Sequence, residues 1–174
     1  MTEAAILLIF PFAMAFAMVS DLLSMTIQNR VSLVLVGAFA ILAPLTGMAL
    51  DVYAMHFVAG LAVLAATFGL FAIRAMGGGD AKLMAATAVW LGWSVDLVNY
   101  IVIGSMLGGM LTLAILAYRR SPLAVVAGRF EFMHRLAQKD VGIPYGIALG
   151  AAGLLTFPQS ALGLWILTRL SSIS

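Results

Sequence analysis

The chain has 174 residues, 64% of them hydrophobic and 9% charged, with a formal net charge of +2. No soluble single domain of this size carries such a balance, and no basic patch suited to nucleic acid stands out, so the composition points to an integral membrane protein. Cysteine is absent, which excludes disulfides, cysteine-based zinc sites and a cysteine nucleophile together.

A membrane-crossing helix needs about 20 mostly apolar residues, because the hydrocarbon core is about 30 Å thick and a helix rises about 1.5 Å per residue. Six such runs are predicted, at about 4–23, 31–49, 54–73, 81–95, 98–118 and 143–168. No alternating strand pattern recurs, and lipid admits only helices or closed barrels. The expected fold is therefore an all-α membrane protein, a polytopic bundle of about six transmembrane helices. The first run, "AAILLIFPFAMAFAMVS", has an A-x-A-like pattern at Ala13 and Ala15. Glu3 stands where a secretory signal has positive charge, however, and Asp21 follows at once, so the run is read as a span. The fourth run is short: from Ala81 to Asp96 there is only about 24 Å of helix, which would recess Asp80 below the interface. Pro158 interrupts the sixth run, which is expected to kink there, or to break and lie along the outer surface.

Arg30, Arg74, Lys82, Arg119, Arg120, Arg129, Arg135 and Lys139 fall around the connections after runs one, three and five, leaving Arg169 alone on the other side. Basic residues mark cytoplasmic loops. Both termini are thus expected outside, Asp21 and Asp80 at the cytoplasmic boundary, and Asp51 and Asp96 opposite. In the long connection 119–142, Val126, Phe130, Met133 and Ala137 recur at helical spacing with Arg129 and Arg135 outside the stripe. An amphipathic helix on the inner membrane surface accounts for this, and so does a solvated basic loop that fixes topology. Gly104 with Gly108, and Gly142 with Gly146 and Gly150, stand four apart and read as close-packing helix faces. Trp90, Trp93, Tyr100 and Trp165 lie near outer span ends and read as interfacial anchors. His56 and His134 are too far apart in this topology for a metal site, and each reads as a polar boundary residue. Ser20, Ser24 and Thr26 lack a suitably placed histidine or lysine, which argues against a serine protease.

The stretch "AIRAMGGGDAKLMAA", residues 72–86, sets Gly77, Gly78, Gly79 and Asp80 between two apolar runs. Asp21 closes the first run and Asp80 opens the fourth, at matching depth and on the same side. A triple glycine at membrane depth is expected as non-helical backbone, tolerated where protein buries it or a water-filled cavity receives it. Glycine also lets an extended peptide approach closely. Two carboxylates converging in a poorly solvated cavity do not readily both ionise, so they share one proton and titrate as a unit, which is the working state of an aspartyl protease. Capping stands beside this reading: Asp at a helix N-cap is worth about 0.5–2 kcal/mol over Ala and would by itself explain Asp80. A boundary carboxylate would explain Asp21.

"GGGDAKL", Gly77 to Leu83, resembles the G-x-G-D-x-K-L signature of the type IV prepilin peptidases, membrane aspartyl proteases related in motif to preflagellin peptidases and more distantly to presenilins. "SDLLSMTIQNRVS", Ser20 to Ser32, is similar to the family's first motif, an aspartate followed by I-P-N, with Gln28 at the proline and Asn29 retained. "IPYGIALGAAGLL", Ile143 to Leu155, resembles the P-Y-G-x-A motif of its last helices. The resemblance implies that Asp21 and Asp80 are the catalytic pair and that Gly77, Gly79, Lys82 and Asn29 hold supporting places, without metal or cofactor. Lys82 is two residues beyond Asp80 and so on a different helix face; a snorkelling lysine explains it equally. The implied substrates are prepilin-like precursors, cut at a short basic leader on the cytoplasmic face of the inner membrane. Glu131 and Asp140 would attract that leader or simply be solvated.

Bifunctional members carry a cysteine-bearing cytoplasmic insert linked to N-methylation. Lacking it, the chain looks like the short, methylase-free subgroup of tight-adherence (Flp-type) pilus systems, a single transmembrane peptidase domain over 1–174 with no N-methyltransferase activity and no use of S-adenosylmethionine. Its expected partners are those precursors and membrane lipid, not nucleic acid; a homo-oligomer or pilus-assembly partners stay open. Two alternatives stand beside this expectation: a non-enzymatic membrane subunit or small transporter, and an intramembrane GxGD protease with other substrates.

Overall fold

The apolar runs become helices that end where the sequence supplies a boundary. In the computed structural model, which describes residues 1–121, 138 and 142–171, these are α1 (Thr2–Ser24), α2 (Asn29–Leu42), α3 (Leu50–Ala72), α4 (Gly78–Leu91), α5 (Val95–Arg120), α6 (Gly146–Thr156) and α7 (Ala161–Ser171). Met25 turns α1 off in the left-handed region at φ 54°. Gly92 ends α4 at φ 64°, where a Cβ would lie 2.7–2.9 Å from the His56 imidazole, so both the backbone and the neighbour demand glycine. The Ser94 hydroxyl caps α5 by accepting the Leu97 N–H at 3.2 Å, and Arg119 and Arg120 occupy its last turn, where cations complement the helix dipole.

The chain is an all-α polytopic membrane bundle. α1, α2 with the 3-10 turn Pro44–Thr46, α3 and α5 are each long and apolar enough to cross a membrane. α6 and α7 form a pair bent by 50° at the turn Phe157–Gln159, which is the break foreseen at Pro158. α4 takes the place of the fourth run, but its 14 residues reach only about 21 Å. Beyond its first turn it is buried nearly all round, Leu83 through Leu91 being buried, as expected of an apolar helix that lies inside a bundle. α3 and α2 pack along it and α6 touches it from the other side, while α1 closes against α2 and α6, and α5 against α6. Outward-facing Leu8, Phe12, Leu61, Phe68 and Leu113 give the bundle an apolar exterior.

Two of the expected interfacial anchors are instead core residues. Trp90 is wholly buried and donates its indole N–H to the Leu35 carbonyl at 2.9 Å, and Tyr100 is also fully buried. Both face inward because α4 and the first half of α5 meet other helices where a peripheral span would meet headgroups. Trp93 is 57% exposed, and Trp165 carries the Arg169 guanidinium 5.5 Å above its ring. His56 is a buried residue rather than a boundary one: it stacks on Phe39, and its Nδ1 lies 2.8 Å from the Val89 carbonyl. The glycine faces pack as read at four positions. Gly104 meets Leu149 and Ala152, Gly108 the Tyr145 ring, Gly146 Asp21 and Ile27, and Gly150 Met14 and Met18; Gly142 packs on nothing within 4 Å. The amphipathic pattern of 126–137, with Arg129 and Arg135, and also Glu131, His134 and Asp140, lie outside the described residues.

Candidate active site

At one end of the bundle the α1–α2 and α3–α4 connections and the start of α6 converge. Asp21, in the last turn of α1, is 5% exposed, and its Oδ2 accepts the Gly146 N–H at 2.7 Å. Gly146 is the first residue of α6, so this N–H is one of the donors that a helix leaves without an internal partner. A carboxylate is its natural acceptor, because it also lies at the positive end of the helix dipole. The bond that orients Asp21 thus adds to the α1–α6 contact that Gly150 makes with Met14 and Met18.

Asp80 is held in a related way, though not as an N-cap. The cap of α4 is Gly77, and Asp80 is the third helical residue, its carboxylate turned back toward Gly77. That is the place of the returning side chain in a capping box. Gly78 and Gly79 are helical, so the expected non-helical triplet shrinks to Gly77 alone. Gly77 has φ −70°, open to any residue, and what is used there is the missing side chain: a Cβ would sit 2.7 Å from Asp80 Oδ2. Likewise a Cβ on Gly78 would meet the Phe71 ring at 3.2 Å, and one on Gly79 would meet Ile27 at 3.1 Å. Each glycine thus admits a different neighbour.

Ile27 packs between Gly79 and Gly146 and so joins the two carboxylate-bearing corners. Asp21 and Asp80 are close enough for their charges to interact, with no hydrogen bond between them. Asp80 lines a cavity of about 350 Å³ together with Met76, Gly77, Thr112, Ile143 and Tyr145. The Tyr145 ring lies against Gly108, where a Cβ would overlap it. The arrangement sets Asp80 at the edge of a cavity with a side-chain-free strip at Gly77 and holds Asp21 nearby through the Gly146 N–H.

The structure brings Asp21, Asp80, Gly77 and Gly79 together. Lys82 and Asn29 belong to a different place: Lys82 Nζ donates to Asn29 Oδ1 at 2.8 Å, tying the start of α2 to α4 on the face away from Asp80, as the two-residue spacing requires. In the α1–α2 turn, Ser20 donates to the Thr26 carbonyl at 2.9 Å and Ser24 to the Ser20 carbonyl at 2.6 Å. Gln28, at the position of the expected proline, has φ −68° and ψ 136°, values that a proline adopts. Gln28→Pro is expected to raise stability by about 0.4–1 kcal/mol by restricting the unfolded chain, read as an upward shift of the thermal midpoint in detergent.

Sequence reasoning read Gly146 as a packing glycine and found Tyr145 and Ile27 within motifs, but it did not foresee that the three residues border the aspartates. The signal available was a glycine at a helix start, which leaves backbone donors uncovered.

Residues 8–116 match the family model of the type IV leader peptidase family. Neither a curated protein nor a solved structure matches the chain.

Proposed function

The chain belongs to the type IV leader peptidase family, and on that premise we propose that Asp21 and Asp80 are the catalytic pair of a membrane aspartyl endopeptidase that removes the short basic leader of prepilin-like precursors. The bond from Gly146 to Asp21 supports this reading most directly, because it holds one carboxylate beside the cavity that the other lines.

In this mechanism the pair carries one proton. The ionised member takes a proton from water as that water attacks the scissile carbonyl, while the protonated member hydrogen-bonds the carbonyl oxygen. The proton then passes to the departing amine. The chemistry requires neither metal nor cofactor. An extended precursor reaches the pair over Gly77, where no side chain obstructs it. Arg30, Arg74, Lys82, Arg119 and Arg120 cluster around the connections at this end, which supports a cytoplasmic active site in the inner membrane with both termini outside. The lack of cysteine supports the short, methylase-free subgroup of tight-adherence pilus systems, so that cleavage proceeds without N-methylation. The whole of 1–174 would act as one peptidase domain, with 119–142 as its basic loop.

Co-expression of a tagged prepilin with the wild-type chain is expected to give a product cut just before the precursor's hydrophobic stretch. An intact prepilin alongside cleavage of an unrelated membrane protein would replace this substrate assignment with an intramembrane protease. Reporter fusions near residues 25, 78 and 130 are expected to report the cytoplasm, and an external signal would overturn the topology.

A further inference from the structure

On the side of α4 turned away from Asp80, a second cavity of about 470 Å³ lies between α2, α3 and α4. Val36, Leu61, Leu64 and Ala85 line its length, and Asn29 and Lys82 stand at one end. Leu61 and Leu64 are 64% and 37% exposed, so this wall opens outward, to where lipid surrounds the bundle.

The two ends differ in chemistry. At the Lys82 end the ammonium has Asn29 Oδ1 as acceptor, and no carboxylate pairs with it among the described residues. The first turn of α2 meets there too, with no side-chain cap and no acidic residue, leaving backbone donors at the positive end of a 14-residue helix. One turn further along, Ser32 lines the same cavity with its hydroxyl buried and without a hydrogen-bond partner, a costly condition if nothing fills it. The rest of the cavity is hydrocarbon. A cation and unmet donors at one end of an apolar trough call for an amphiphile with an anionic head.

We propose that this cavity seats one anionic phospholipid, its phosphate against Lys82, Ser32 and the first turn of α2, and an acyl chain along Val36, Leu61 and Leu64. A helical peptide segment fits less well, because its backbone acceptors are already used and offer nothing to Lys82 or Ser32. The site is independent of the catalytic reading, since it involves neither aspartate.

The test is native mass spectrometry of the purified full chain with equimolar phosphatidylglycerol and phosphatidylcholine. Wild type is expected to retain phosphatidylglycerol about tenfold over phosphatidylcholine, the scale of one charge-assisted hydrogen bond. Lys82→Gln is expected to lose that preference, Lys82→Arg and Arg74→Gln to keep it, and Val36→Trp, which fills the trough, to retain neither lipid. Equal retention of the two lipids by wild type overturns the proposal without recourse to any variant. So does an unchanged preference in Lys82→Gln. Displacement by glycerol phosphate would show that no tail is needed, and capture of prepilin instead of lipid by a photo-crosslinker at Leu61 would assign the trough to substrate; either result overturns the lipid assignment.

Discussion

Asp80→Asn is expected to lower prepilin cleavage by at least about 10²–10⁴-fold while the bundle stays folded, and Asp21→Asn to do the same. The amide is nearly isosteric with the carboxylate and keeps an acceptor oxygen. At position 80 that oxygen can still turn back toward Gly77 at the first turn of α4, and at position 21 it can still take the Gly146 N–H that helps tie α1 to α6. A purely capping role therefore predicts a small change, within about 1 kcal/mol of stability, and undiminished cleavage. A catalytic role predicts the opposite split, because an amide neither accepts a proton from water nor donates one to the leaving amine. The double variant should be no worse than either single one, since residues that act as a unit are not additive. Leader removal from a tagged prepilin, read beside the thermal midpoint in detergent, decides the matter. Cleavage within tenfold of wild type by either variant would remove that residue from the pair.

A single methyl group at position 146 should have the next largest effect. The Cβ of Gly146→Ala would lie 2.7 Å from Ile27 Cδ1, 2.9 Å from Asp21 Oδ2 and 3.0 Å from Asp21 Cβ. None of these is the far end of a flexible chain in open space, so either α6 retreats or the carboxylate turns. A displacement of about 1 Å at a reacting group costs about 10²-fold in rate, and that is the expected loss of cleavage. Gly109→Ala is the matched control, with nothing within 4 Å of its added Cβ and near-normal cleavage expected. Wild-type rates in Gly146→Ala would show that the N–H to Asp21 contact is packing alone.

The convergence of Asp21 and Asp80 was legible because charge is scarce in this chain, and basic residues fix which loops share a side. The separate face of Lys82 was legible from helical spacing. The burial of Trp90, Tyr100 and His56 was not. In a chain surrounded by hydrocarbon, inward and outward faces are both apolar, so the contrast that marks a core in water is lost. Nor did the sequence distinguish cap from first turn at 77–80, since any of three successive glycines can begin a helix. The bond from Gly146 to Asp21 escaped for another reason: it uses a backbone N–H, which every residue but proline carries.

The shortness of α4 has a consequence for the surrounding bilayer. At about 21 Å it falls well short of a hydrocarbon core of about 30 Å, while α3 and α5 run to about 35 and 39 Å. The protein thus holds a hydrophobic mismatch inside itself, with tall walls around a low centre, and the film beside Asp80 must thin or admit water. On the proposed catalytic pair, hydrolysis would occur below the headgroup plane, at a depth set by the difference in helix lengths. Acyl-chain length in the host membrane would then control where along a precursor the water can strike.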